Sequence, residues 1–222
     1  TTPWTLPSNT ALAIGEKITY LNVLTFNQYT NKPIRVIVAK DLFAKYFLVD
    51  PTKVNDISVG FNVVENGGIG HSVLFKGRYA AWQIATICSG KELLGIRYEQ
   101  LMPYLQPFYD AEKAFQVIAG DFVTTEDGTG VVHTSPTFGA DDFRVAKQNG
   151  VPALTVKDEG GNEVPTVDKK GKFISQIGKH LAEGVKKYSI KTHKPLSVDD
   201  FYVKNYTNED ETHPDYKSTD VI

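Results

Sequence analysis

The stretch of this chain richest in chemistry runs Asp127-Gly128-Thr129-Gly130-Val131-Val132-His133-Thr134-Ser135-Pro136-Thr137-Phe138-Gly139-Ala140-Asp141-Asp142. It reads as a tight turn, a short apolar strand ending in His133, a second turn, and a helix that opens with two acids. A ligand lodged between strand end and helix start would meet an imidazole, hydroxyls and a carboxylate together. An acid in the first helical turn faces the positive end of the helix dipole. Ionised, the Asp142 carboxylate accepts without donating, which suits an ammonium group. The same spacing also fits a plainer arrangement, with Asp141 and Asp142 capping a helix and His133 a satisfied core residue.

Other chemistries find less support. The five histidines, His71, His133, His180, His193 and His213, have no metal-ligand spacing with one another or with a cysteine. The single cysteine, Cys88, leaves no internal disulfide framework and no cysteine zinc site. It lies in the apolar run Ile84-Ala85-Thr86-Ile87-Cys88, where a buried structural thiol is expected. Gly68-Ile69-Gly70-His71 reads as a turn rather than a nucleotide loop. Neither a Gly-x-Ser-x-Gly elbow nor a Gly-Lys-Ser/Thr phosphate loop occurs, so covalent catalysis has no evident nucleophile.

The elements that must position these groups alternate between short strands and punctuating turns. Residues 17–26 (KITYLNVLTF) are β-branched, aromatic and roughly alternating, which predicts a strand, with 34–39 (IRVIVA) as its hairpin partner. Asp41 is expected to cap a short helix over 42–47. Short strands are expected at 59–64 and 72–75, and a strand at 93–105 leading into a turn. Apolar β-rich runs follow at 114–118 and 131–134. The clearest helix begins after Gly139, with acids in its first turn, Gly150 past its end and Pro152 beyond. A strand is expected at 151–156, a polar hairpin or loop at 158–172 and a helix at 174–187. The fold class is therefore α+β and β-rich: a curved sheet or β-barrel core with peripheral helices.

Composition sets the outer limits. The chain has 222 residues, 41% hydrophobic and 23% charged, with a formal net charge of −2. That is the profile of a globular domain, and no global basic field advertises a polyanion partner. A nucleic acid would have to be met through a local basic face, for which residues 169–172 and 186–194 are candidates. No apolar run approaches the length of a membrane span, and no signal sequence is visible. The chain opens without methionine and stops on Val221-Ile222. It is expected to be a cytoplasmic fragment.

Two motifs together carry a family resemblance. Thr1-Thr2-Pro3-Trp4-Thr5-Leu6-Pro7-Ser8-Asn9 resembles the threonine-rich segment of the editing insert in isoleucyl-tRNA synthetases. Gly128-Thr129-Gly130-Val131-Val132-His133-Thr134, followed by Gly139-Ala140-Asp141-Asp142, resembles that family's second editing motif. They stand in the family's order, more than a hundred residues apart. Valyl enzymes usually place lysine where His133 stands, and leucyl enzymes carry arginine and aspartate near Pro3-Trp4-Thr5, so the resemblance is to the isoleucyl branch. The family's run generally has three threonines preceded by tryptophan; this chain begins inside it. The synthetase's two ATP-binding signatures, His-Ile-Gly-His and Lys-Met-Ser-Lys-Ser, are absent.

The resemblance implies that residues 1–222 form a single editing domain of the valyl/isoleucyl/leucyl type, without the catalytic Rossmann domain. It implies an aminoacyl-ester hydrolase that removes valine from mischarged tRNA(Ile), and possible action on valyl-adenylate. Discriminating valine from isoleucine by one methylene yields only ~1–3 kcal/mol, this family being the standard illustration of that limit, so a second, smaller site is needed. Asp142 would bind the α-ammonium of valine, and His133 would form a wall excluding isoleucine. Thr1 and Thr2 would contact the ester and terminal adenosine, Trp4 would pack the floor, and Asn9 would orient substrate or water. Gly128, Thr129, Gly130, Thr134 and Asp141 would complete the substrate site. No cofactor or metal is implied for this domain, whereas the full enzyme would use ATP and Mg. Its partners would be the valine-bearing 3′ end of tRNA(Ile) and the rest of the synthetase, with no membrane. The alternatives are a valyl-tRNA synthetase editing domain, or a catalytically silent tRNA-binding module of the same fold.

Overall fold

Alternation of apolar and polar residues in Thr19–Phe26 (TYLNVLTF) puts Tyr20, Leu21, Val23 and Thr25 out of solvent and makes this the central strand of the larger sheet. The computed structural model describes residues 3–27, 29–47, 70–73, 79–103, 105–169, 171–174, 177 and 203. By their contacts they divide into two compact units. One holds the described residues up to Ala11, Arg97–Gln116 and those from His133 onward; the other holds Leu12–Ile96 and Val117–Val132.

In the second unit, β2 (Thr19–Phe26) pairs antiparallel with β3 (Pro33–Ala39), as the hairpin pattern predicts. Its other edge pairs with β5 (Tyr79–Ser89), which in turn pairs with β4 (Gly70–Val73), giving the order β3-β2-β5-β4. The β2–β5 register shifts at Asn22/Val23, where Thr86 and then Ile84 are the successive partners and Ala85 is the extra residue of a bulge. The core beneath contains Trp82, Tyr20, Phe43, Leu21 and Ile84. The helix α1 (Phe43–Tyr46) contributes Phe43, whose ring stacks on Phe47 at 4.6 Å and meets Trp82 edge-on at 5.0 Å.

The strands β1 (Ala11–Ile14), β6 (Gln116–Ala119) and β7 (Val131–Thr134) form a three-stranded sheet in the order β6-β1-β7, and the chain passes between the units inside these strands. In the first unit, α2 (Ala140–Gln148) follows the sequence expectation, and Gly150 after it takes a left-handed φ of +66°. Two further residue pairs, β8 (Val156–Lys157) and β9 (Glu163–Val164), form a small hairpin. Its apolar side belongs to a cluster of Val156, Val167, Phe173, Ile177 and Val203.

Several expectations are corrected. The described strands form open sheets of three, four and two strands, and no closed barrel occurs among the described residues; β3 and β4 end the larger sheet instead of pairing with each other. Residues 93–105 are not a strand. Gly90–Leu93 is a 3-10 turn closed by Ser89 and Glu92, and Gly95 at φ +77° breaks the extended run, leaving one isolated bridge at Arg97. Asp41 does not cap a helix over 42–47: a 3-10 turn, Lys40–Leu42, precedes α1, and the Asp41 carboxylate accepts from Thr125 Oγ1 instead. The strand expected at 151–156 shrinks to Val156–Lys157, since Pro152 has no N–H to lend a ladder. Cys88 is half-buried on β5, and burial pushes its thiol pKa up. The expectations for 59–64 and most of 174–187 lie outside the described residues, as do the basic run 186–194 and Thr1 and Thr2.

Candidate functional site

The segment Pro3–Ser8 (PWTLPS) carries two prolines, which lack the N–H groups that a longer helix would use, and it settles into a 3-10 helix. Behind it the chain is tied down. Asn9, 3% exposed, donates through Nδ2 to Ala11 O at 2.8 Å and to Thr134 O at 3.5 Å, and its Oδ1 accepts from Tyr98 at 2.6 Å. Thr10 N also donates to Thr134 O at 3.0 Å. Thus the end of β7 is fixed beside Asn9 and Thr10. This leaves Asn9 as a strut whose amide is spent on the protein itself. Burial also raises the pKa of its partner Tyr98, so that hydroxyl keeps its proton.

His133, the penultimate residue of β7, meets Thr5: Thr5 Oγ1 and His133 Nε2 stand 3.0 Å apart. Its other nitrogen, Nδ1, is buried and has no hydrogen-bond partner among the described residues. Burial depresses the imidazole pKa below the ordinary histidine value, and the negative charge of Asp142 offsets part of that shift. The ring is therefore neutral at pH 7.

Asp142 is the third residue of α2, counting from Ala140 after the Gly139 cap. Its Oδ2 turns back to accept from Ser135 N at 2.8 Å. Ser135 Oγ donates to Ser8 O at 3.0 Å, and Ser8 Oγ shares a hydrogen bond with Thr166 Oγ1 at 2.6 Å. Asp141 faces solvent, its side chain 73% exposed and paired with Arg144 at 3.4 Å. Trp4, 39% exposed, lies beside Gly171.

Of the residues expected at the site, the first unit thus brings together Asn9, His133, Thr134 and Asp142, with Trp4 on the same 3-10 segment as Thr5. Asp141 is turned away. Gly128, Thr129 and Gly130 belong to the other unit, where their carbonyls are taken. Tyr46 donates to Gly128 O at 2.6 Å, Ala39 N to Thr129 O at 2.9 Å, and Tyr20 to Gly130 O at 2.6 Å. Gly130 has φ +76°, and a Cβ there would lie 2.5 Å from that of Ala39, so only glycine fits. The sequence reading missed Thr5, Ser8, Ser135, Tyr98 and Thr166 as members of the cluster. Thr5 and Ser8 sit inside the first motif and Ser135 directly follows Thr134 of the second, so these could have been found there; Tyr98 and Thr166 carry no local signal.

No family model matches the chain. Curated relatives do match. The chain is 52% identical over 186 residues to the isoleucine–tRNA ligase of Cytophaga hutchinsonii, across 84% of its own length. It is 46% identical over 175 residues to that of Porphyromonas gingivalis and 39% over 218 residues to that of Bacteroides thetaiotaomicron, covering 78% and 94% of itself. The chain belongs, as a segment, to the isoleucine–tRNA ligases. It spans 15%, 14% and 17% of the length of those three relatives. A solved structure described as a CP1 portion of a leucyl-tRNA synthetase is similar at a TM-score of 0.41 and 16% identity, over 83% of this chain and 59% of that one.

For this ligase segment, the cluster offers a defined chemistry. It holds one carboxylate with an oxygen, Oδ1, that makes no hydrogen bond among the described residues, a neutral imidazole, and the Thr5 hydroxyl. Such a set can bind a cation and orient a neutral polar group beside it. Among the described residues there is no group of three or more His, Cys, Asp or Glu side chains able to hold a metal ion. None of the described helices is long and apolar enough to cross a membrane.

Proposed function

We propose that this segment is the editing hydrolase of its ligase, cleaving the ester that joins wrongly attached valine to the 3′ end of tRNA(Ile). The observation that carries the reading is the meeting, in one unit, of two sequence-distant segments, the 3-10 segment that holds Thr5 and the strand–turn–helix run from His133 to Asp142. Thr5 Oγ1 stands 3.0 Å from His133 Nε2, Ser8 O accepts from Ser135 Oγ at 3.0 Å, and Asp142 Oδ2 accepts from Ser135 N at 2.8 Å. Family membership supports it, since an isoleucine enzyme must reject valine by more than one methylene's worth of binding.

In this mechanism Asp142 holds the α-ammonium of valine through Oδ1, while its Oδ2 stays bonded to Ser135. The neutral His133 ring, locked by Thr5, bounds the side-chain space, so that an extra methylene meets a wall. Water adds to the ester carbonyl, the bond from the acyl carbon to the ribose oxygen breaks, and the water's proton ends on that oxygen. The chain's part is positioning and stabilisation of developing charge. Thr1 and Thr2 serve the ester and terminal adenosine, and valyl-adenylate is a second substrate for the same pocket.

The test is deacylation of Val-tRNA(Ile) by the 222-residue chain. Asp142→Ala should lower kcat/KM at least ~100-fold, the scale of lost positioning, with the unfolding transition retained. Wild-type-like hydrolysis by that variant would remove Asp142 from its role.

A further inference from the structure

The Asp142 carboxylate is held from behind by a series of contacts that ends far away in sequence. Ser135 N donates to Asp142 Oδ2 at 2.8 Å, Ser135 Oγ donates to Ser8 O at 3.0 Å, and the Ser8 and Thr166 hydroxyls lie 2.6 Å apart. Ser8, Ser135 and Thr166 have no exposed surface. Ser8 also ends the 3-10 segment that carries Thr5, the hydrogen-bond partner of His133. One buried serine therefore stands between the carboxylate on one side and the imidazole's partner on the other.

Hydroxyls buried this deeply are a costly way to join two segments. Desolvating them gives up hydrogen bonds to water, and an apolar contact would hold the segments together without that cost. What a buried hydrogen bond supplies is direction, since its geometry is narrow in distance and angle. Direction matters here. A carboxylate in the first turn of a helix has its own helix's free N–H groups as competing partners. The Ser135 amide draws Oδ2 away from them, and Ser135 stays where it is because Ser8 is pinned by Thr166.

We infer that Ser135 and Thr166 are positioning residues, which through Ser8 aim the free oxygen of Asp142 relative to the Thr5–His133 pair. The inference deepens the editing reading, and rests on it for the identity of the ligand that Asp142 grips. Neither residue touches substrate. Thr166 acts through Ser8, and its contribution is carried by the hydroxyl alone.

The experiment uses the 222-residue chain with two readouts, the Ser135 backbone amide by NMR and the kinetics of Val-tRNA(Ile) hydrolysis. Asp142→Asn supplies the amide shift of a weakened Ser135–Asp142 bond. Thr166→Val, which keeps the shape and removes the hydroxyl, should move the Ser135 amide towards that reference and lower kcat/KM about tenfold. Thr166→Ser should restore both. Should Thr166→Val fail to fold, Ser8→Ala removes the same bond from the other side and carries the same expectation. An unmoved Ser135 amide in the hydroxyl-less variant overturns the inference, and so does a Thr166→Ser chain as impaired as Thr166→Val. If the wild-type chain hydrolyses nothing, the editing reading fails, while the amide response still decides whether Thr166 positions Asp142.

Discussion

The loop before β7 and the turn after it are held in opposite ways. Before the strand, Glu126, Gly128, Thr129 and Gly130 give up their carbonyls to the scaffold, to Lys45, Tyr46, the Ala39 amide and Tyr20 in turn. Tyr20 is itself part of the apolar core under the larger sheet. After the strand, the turn from Ser135 to Asp142 is tied to its neighbours by buried hydroxyls. There His133 Nδ1 has no partner among the described residues, and Asp142 Oδ1 makes no hydrogen bond among them. Two halves of one sequence motif thus do different work. The first half spends its carbonyls on the fold, and the second leaves polar atoms without a hydrogen bond among the described residues.

The largest way to break the comparison is Gly130→Val. Strain at a positive φ and overlap with Ala39 together should cost about 2–5 kcal/mol, read as a lower midpoint in urea unfolding. A milder change in the same loop is Tyr20→Phe, which strands the buried Gly130 carbonyl. It should destabilise by about 1–3 kcal/mol without altering the discrimination between valine and isoleucine on tRNA. A changed discrimination would show that the loop serves the ligand as well as the fold.

On the other side of β7, the depressed pKa of His133 makes a pH prediction. The unfolded chain takes up the proton first, so this contribution to stability is complete above about 6.5, the ordinary histidine value. It falls as pH drops from there to the lower folded value, and is flat below that. His133→Gln should remove that slope from a plot of unfolding free energy against pH; an unchanged slope would assign the acid sensitivity to another group. The smallest effect belongs to Asp141→Ala. Its exposed pair with Arg144 is worth no more than about 0.5 kcal/mol, and hydrolysis should stay within about twofold of wild type. A hundredfold loss there would mean that the two adjacent acids have been assigned the wrong way round.

Much of this was legible along the chain, and the particular elements show why. Period-2 patterning over 19–26 and 34–39 marks the β2–β3 hairpin because each strand has one buried face. Acids, glycine and proline at the two ends bracket α2 because helix ends need those groups. The segment 93–105 was misread because its apolar residues suit a strand, while Gly95 takes a backbone angle that a strand does not. Asp141 and Asp142 cannot be told apart by composition. Their helical positions differ by about 100°, and only the path of the preceding turn decides which one faces Ser135.

By itself the sequence determined the membership of the chain, the strand and helix it needs around the motif, and the residue types able to do chemistry. The tertiary structure decided which of those types are free to act. Asn9 is consumed by Tyr98, Ala11 and Thr134, Asp142 is aimed by Ser135, and Ser8 is anchored by Thr166, 158 residues away. The physical reason is the range of the interactions involved. Backbone propensity and hydrophobic alternation act over a few neighbouring residues and leave a local pattern. A hydrogen bond between side chains from distant parts of the chain leaves none until folding brings them together.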